Sequence, residues 1–146
     1  MSTPIESLLT LRRWEEDEAK SLFVLAKKDL ENEEDRLSGL ERNFTALREG
    51  IKANENKGLT IDQIRQAQQH FDHLMLLLQR QRDAVAKSAQ RLEEAARIMA
   101  AAALERKKFE KVDNRQKEAG RREQLKKEER DIDEHAVQRY KRNTAV

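Results

Sequence analysis

Ala53-Asn54-Glu55-Asn56-Lys57-Gly58-Leu59-Thr60 separates two long seven-residue patterns and reads as the point where the chain turns back on itself. Gly58 and the two asparagines supply turn chemistry, since all three tolerate backbone conformations that most residues avoid. Thr60 followed by Gln63 spells a capping box, and Leu59 with Ile64 a hydrophobic staple. Helix 2 is therefore expected to start at Ile61. A connection this short between two long helices makes them antiparallel neighbours.

Working outward, each side of the turn carries a strict repeat. Before it, Leu9, Phe23, Leu30, Leu37, Phe44 and Ile51 fall on one series of sevens, broken only by Glu16. Three residues after each member come Arg12, Ala19, Ala26, Glu33, Leu40 and Leu47. After the turn, Ile64, Phe71, Leu78, Val85, Leu92 and Met99 form the matching series. Its companion runs Ala67, Leu74, Gln81, Ser88, Ala95, Ala102 and Phe109. A period held at seven over this many turns predicts a left-handed coiled coil and excludes a random charged chain. The predicted fold is all-α: one domain over residues 1–146, an antiparallel two-helix coiled-coil hairpin. Helix 1 is expected over about 4–53, with Pro4 suited to a first turn, the turn over 54–60, and helix 2 over about 61–140. Helix 2 is the longer and overhangs at the C-terminus, with 110–146 expected unpaired because its seam becomes Asp113, Gly120, Lys127 and Glu134.

Charge favours the same pairing. Residues 1–56 carry 9 basic and 13 acidic groups, and residues 57–146 carry 21 and 15. An acidic helix against a basic one gains edge contacts of a few tenths of a kcal/mol each.

Composition removes the other classes. Of 146 residues, 40% are charged and 37% hydrophobic, with four glycines and one proline. Sandwiches, barrels and doubly wound sheets need more turns and more large apolar residues than this. No apolar run approaches the roughly 18 residues of a membrane span, and no secretory leader is expected. With no cysteine there is no disulfide and no thiolate chemistry. A net charge of +2 argues against dedicated nucleic-acid binding. No catalytic constellation, phosphate loop or small-molecule substrate site is evident, so neither enzymatic activity nor a cofactor is expected. His70 and His73, three apart on a helix, lack a third metal ligand and read as exposed polar residues.

Apolar residues off the seam are the informative remainder. Met75, Leu76 and Leu77 lie outside the heptad series near the turn, as do Leu8, Leu11, Trp14, Leu22 and Leu25 on helix 1. Leu11, Trp14, Glu18, Leu22 and Leu25 follow helical spacing. These positions read equally as a widened seam or as two docking surfaces, one near the turn and one near the open end. The run Arg121–Arg130 mixes charges, without a clean basic face or aromatic interleaving. Leu125, Ile132, Ala136 and Tyr140 make a thin stripe in the tail.

The chain resembles the flagellar FliJ family, small components of the flagellar type III export apparatus. The matching features are the opening Leu8-Leu9-Thr10-Leu11-Arg12-Arg13-Trp14-Glu15-Glu16, the Gly58-Leu59-Thr60 entry followed by Phe71, Leu74, Leu78 and Gln81, and two tail elements. The latter, Arg122-Glu123-Gln124 and Asp133-Glu134-x-Ala136-x-x-Arg139, are the more telling because no heptad requires them. The resemblance implies a non-enzymatic central stalk like that of rotary ATPases. Its open end would dock into the hexameric export ATPase. Its turn-proximal region would contact an export-gate membrane protein of the FlhA type. Some family members also escort export chaperones. Carried onto this chain, the gate-binding surface would comprise Arg36, Leu40, Asn43 and Leu47 of helix 1 with His70, Leu74, Leu77 and Gln81 of helix 2. His70 and Asn43 stand where the family favours aromatics. The ATPase-binding surface would comprise Leu8, Leu11 and Trp14, together with Arg122, Glu123, Gln124, Asp133, Glu134 and Arg139 of the tail. The implied location is cytoplasmic, associated peripherally with the inner membrane through the apparatus. The equivalent stalk of a virulence type III secretion system, or a general coiled-coil chaperone or scaffold, shares these sequence properties.

Overall fold

The computed structural model describes residues 3–144. They form two α-helices, α1 (Pro4–Glu55) and α2 (Ile61–Thr144), packed against each other as an antiparallel hairpin. No strand occurs among the described residues. The last two residues of the expected unpaired segment, 145 and 146, lie outside the described range.

Local chemistry sets each helix end. Helix α1 continues through Asn54 and Glu55, past the expected boundary at 53, because both fit a last turn before the chain must reverse. The reversal follows at once. Lys57 N–H donates to the Asn54 carbonyl at 3.0 Å, and Gly58 adopts φ +78°. A side chain would strain that left-handed conformation, which makes Gly58 the natural terminator. The Thr60–Gln63 capping box then forms in both directions. Gln63 N–H donates to Thr60 Oγ1 at 3.2 Å, and Thr60 N–H donates to Gln63 Oε1 at 3.0 Å. A second box caps α1. Glu6 N–H donates to Thr3 Oγ1 and Thr3 N–H to Glu6 Oε2, both at 3.2 Å.

The chain divides into two compact units, Asp17–Ala101 and Met1–Glu16 with Ala102–Val146. In the turn-bearing unit the heptad positions are covered, with a few flanking residues such as Leu77, Ala84 and Ala96 half-buried beside them. From Ala19 to Ile51 on α1, and from Ala67 to Met99 on α2, buried and half-buried residues recur at alternating steps of three and four. Phe44 and Phe71 meet with ring centroids 4.9 Å apart, tilted by 44°. Such a tilted pair adds to the burial of its rings. Leu74 and Leu78 are buried within two turns of Phe71, and Ala19 is buried far from this pair, toward the other end of α1. Polar faults in the seam find partners. Gln81 Nε2 donates to the Glu33 carbonyl at 2.9 Å and also reaches the Glu33 carboxylate. Ile64, expected on the seam, is exposed. It lies one turn into α2, where the chain is still swinging out of the reversal. The seam on α2 therefore closes only from Ala67 onward.

The second unit is held differently. Its buried residues are Leu9, Glu16 and Asp113. Arg106 donates through Nε to Glu16 and through Nη1 to Glu110 at 2.8 Å, while Arg13 reaches Glu110 at 3.5 Å. Side chains lean toward the N-terminus of their own helix, so in antiparallel helices two long side chains lean toward each other. That lean lets Arg106 reach Glu16, one heptad beyond Leu9. Arg12 lays its guanidinium over Phe109 at 5.1 Å from the ring centroid and pairs with Glu15 at 2.9 Å.

The expectation that pairing ends at 110 needs correction. Glu110 belongs to the Arg106 and Arg13 network, and Asp113 is buried. A carboxylate can be covered here because Lys117 pairs with it at 3.0 Å. The continuously exposed stretch of α2 begins at 114 and runs to 144.

No described side chain is fully enclosed. A two-helix seam covers each residue from one side, so each contributes only part of the roughly 1.5–3 kcal/mol of a fully buried large aliphatic side chain. Stability must accumulate along the length.

Candidate docking surfaces

Exposed apolar residues lie outside the seam in both units, Leu22, Val24 and Leu25 of α1 among them in the turn-bearing unit. In the turn-bearing unit, Leu77 is half-buried while Met75 and Leu76 are each 45% exposed. The sequence places six consecutive non-polar or weakly polar residues, His73–Leu78, on less than two helical turns. A two-helix seam can accept only Leu74 and Leu78 of them, which is why His73, Met75 and Leu76 face outward and Leu77 is only half-covered.

The residues carried over for a gate contact fall into two groups. Exposed are Arg36, which pairs with Glu33 at 3.2 Å, Asn43 and His70. Seam residues are Leu40, Leu47 and Gln81, all half-buried, and Leu74, which is 6% exposed, while Leu77 is half-buried beside the seam. Leu74 and Gln81 are thus occupied in holding the helices together. Leu47 and His70 line a common groove of 740 Å³ beside the turn, with Gly50, Ile51 and Leu59. A narrower groove on the other side of the seam is lined by Ile51, Leu59, Ile64 and Phe71. Neither groove was read from the sequence. Their signal is the small residues Ala46, Gly50 and Ala67, which leave space that larger seam residues would fill.

In the second unit, Leu8, Leu11 and Trp14 are exposed, Trp14 by 60%. Arg122, Glu123, Gln124, Asp133, Glu134 and Arg139 all lie on the exposed part of α2. Arg122 pairs along its own helix with Glu118 at 3.1 Å. No ion pair joins Glu123, Asp133, Glu134 or Arg139 to another described residue, so their charges are available to a partner.

The Arg106 guanidinium is pushed above its usual pKa, first by the hydrogen bond to Glu16 and then by that to Glu110. It remains a cation at every physiological pH, so this layer is a fixed charge pair and not a switch. His70 and His73 are exposed, and no cluster of three His, Cys, Asp or Glu ligands exists among the described residues. No described helix is long and apolar enough to cross a membrane.

A family model described as the flagellar FliJ protein matches residues 1–145. No curated protein and no solved structure gives a match.

Proposed function

The chain belongs to the flagellar FliJ family, and from that premise we propose that it is the cytoplasmic central stalk of the type III export apparatus. The observation that carries this reading is the family match along 1–145, spanning both helices. In the proposal, Leu8, Leu11, Trp14 and the tail charges dock into the hexameric export ATPase. The exposed apolar cluster around Leu77 meets an export gate of the FlhA type. Escort of export chaperones is a further role consistent with exposed apolar helix surface.

The chemistry suits a coupling element without catalysis of its own. A single asymmetric hairpin inside a six-fold ring cannot contact all subunits equally. Binding one subunit interface better than the others biases the nucleotide state there, through the difference in affinity between states. Charged, exposed contacts such as Glu123, Asp133, Glu134 and Arg139 suit this role, because they break and re-form in water at low cost.

The test is a binding assay with purified export ATPase. Full-length chain should co-sediment with the hexamer and stimulate it. The Trp14→Ala chain truncated before Glu123 should do neither. Unchanged stimulation by the truncated variant would remove the ATPase-docking role.

A further inference from the structure

We propose that α2 carries a peripheral binding surface for anionic lipid headgroups, an arc of cations running from Lys107 to Lys126. At about 100° per residue, Lys107, Lys108, Lys111, Arg115, Arg122 and Lys126 fall within a single arc of about 100°. Over these twenty positions that arc holds six cations and one carboxylate, Glu118. The rest of the circumference holds two cations, Lys117 and Arg121, against Glu110, Asp113 and Glu123. The local excess of positive charge is therefore confined to one side. That side faces away from the seam, whose last members are Phe109 and Asp113. The run 121–130 looks mixed when read alone, and the arc emerges only when the helix is followed from Lys107.

All six cations are exposed. Lys108 pairs with Glu105 at 3.1 Å and Arg122 with Glu118 at 3.1 Å, both along the helix. Lys107, Lys111, Arg115 and Lys126 have no ion pair among the described residues. Four uncompensated cations spaced along about 30 Å of helix match a plane of anionic groups.

Exposed apolar residues decide between a lipid surface and nucleic acid. Leu104 and Leu125 lie on the same arc at its two ends, 59% and 54% exposed. An interfacial helix uses such residues to enter the boundary between headgroups and acyl chains while its lysines reach the phosphates. Phosphates of a nucleic acid would leave them idle. Single-stranded bases need aromatic platforms, and none occurs between Phe109 and Tyr140. Lipid binding through this arc does not depend on the export-stalk role, and vesicle assays require neither protein partner.

The experiment is co-sedimentation of the full chain with large unilamellar vesicles of phosphatidylglycerol and phosphatidylethanolamine, with phosphatidylcholine vesicles as the neutral control. Binding should be confined to the anionic vesicles and vanish in molar salt. Each neutralised cation should weaken it about fivefold. Lys111→Gln with Arg115→Gln should therefore cost about 25-fold. Lys127→Gln with Arg142→Gln, equal in charge but off the arc, should cost less than about threefold. All four positions are exposed, so circular dichroism should show unchanged helicity. Equal losses from the two pairs would overturn the proposal, since only net charge would matter. Binding to phosphatidylcholine as strong as to anionic vesicles would overturn it as well. So would tighter binding to a short DNA duplex than to the vesicles at the same salt.

Discussion

The turn-bearing unit and the open-end unit use the same heptad geometry with opposite chemistry. Between Ala19 and Met99 the seam is built on Phe44 against Phe71, Leu74 and Leu78, with polar seam positions at Glu33 with Gln81 and at the buried Ser88. At the open end the covered positions include Arg12, Glu16, Arg106, Phe109 and Asp113. Apolar layers gain stability by leaving water. Charged layers must first lose their hydration, and their mutual attraction roughly offsets that loss. The first unit is thus the stable clamp. The second is specified by pairing and held weakly.

The comparison breaks if the clamp is not apolar. Leu78→Ala in the turn-bearing unit should cost about 2–4 kcal/mol, measured by urea unfolding followed through circular dichroism. A loss below about 1 kcal/mol would mean that this seam is as loose as the other end.

A smaller and local effect is expected from the charged layer. Glu16→Ala strands Arg106 beside Glu110 and removes the buried carboxylate. Hydrogen exchange should speed up for backbone amides of α1 up to about residue 16, and stay unchanged around Phe44. Glu16→Leu with Arg106→Leu should reverse the effect and slow exchange beyond wild type, as replacement of a buried ion pair by apolar residues often does. Faster exchange in the double variant would show that the pair contributes net stability.

The two capping boxes sharpen the contrast further. Thr60→Ala and Thr3→Ala each remove one side-chain acceptor, worth about 1 kcal/mol. Loss at Thr60 should appear in global unfolding, because the turn ties the clamp together. Loss at Thr3 should appear only as fraying of the first turns. The smallest effect on stability belongs to the tail. Truncation before Glu123 should leave the unfolding midpoint of the paired helices within error, since residues 123–144 are exposed throughout and Lys117, the partner of Asp113, is retained.

Much of this was legible in the sequence, for physical reasons. A seven-residue period is a property of one chain, so the seam positions and the hairpin could be read directly. The Thr60–Gln63 box was readable because both partners lie within four residues. The Thr3–Glu6 box carries the same signal in the sequence, beside Pro4. Partnerships across the helices were not legible. Glu16, Glu33 and Gln81 stood out as faults, but nothing in their spacing says that Glu33 meets Gln81 or that Glu16 meets Arg106. Those contacts depend on which way long side chains lean. The burial of Asp113 is not legible in the sequence because Lys117, its partner, is one turn further along an apparently solvated stretch. Ile64 fits the period yet stays exposed, since periodicity does not report how far from the reversal the two helices close on each other.

The central claim is that the two ends dock different partners independently, and Leu77→Asp tests it most directly. Leu77 is half-buried at the seam edge, so a charge there should leave the hairpin folded. Titration calorimetry of the folded variant should show no binding to the gate's cytoplasmic domain and unaltered binding to the export ATPase. Normal gate binding by the variant, or loss of both partners together, would contradict the account.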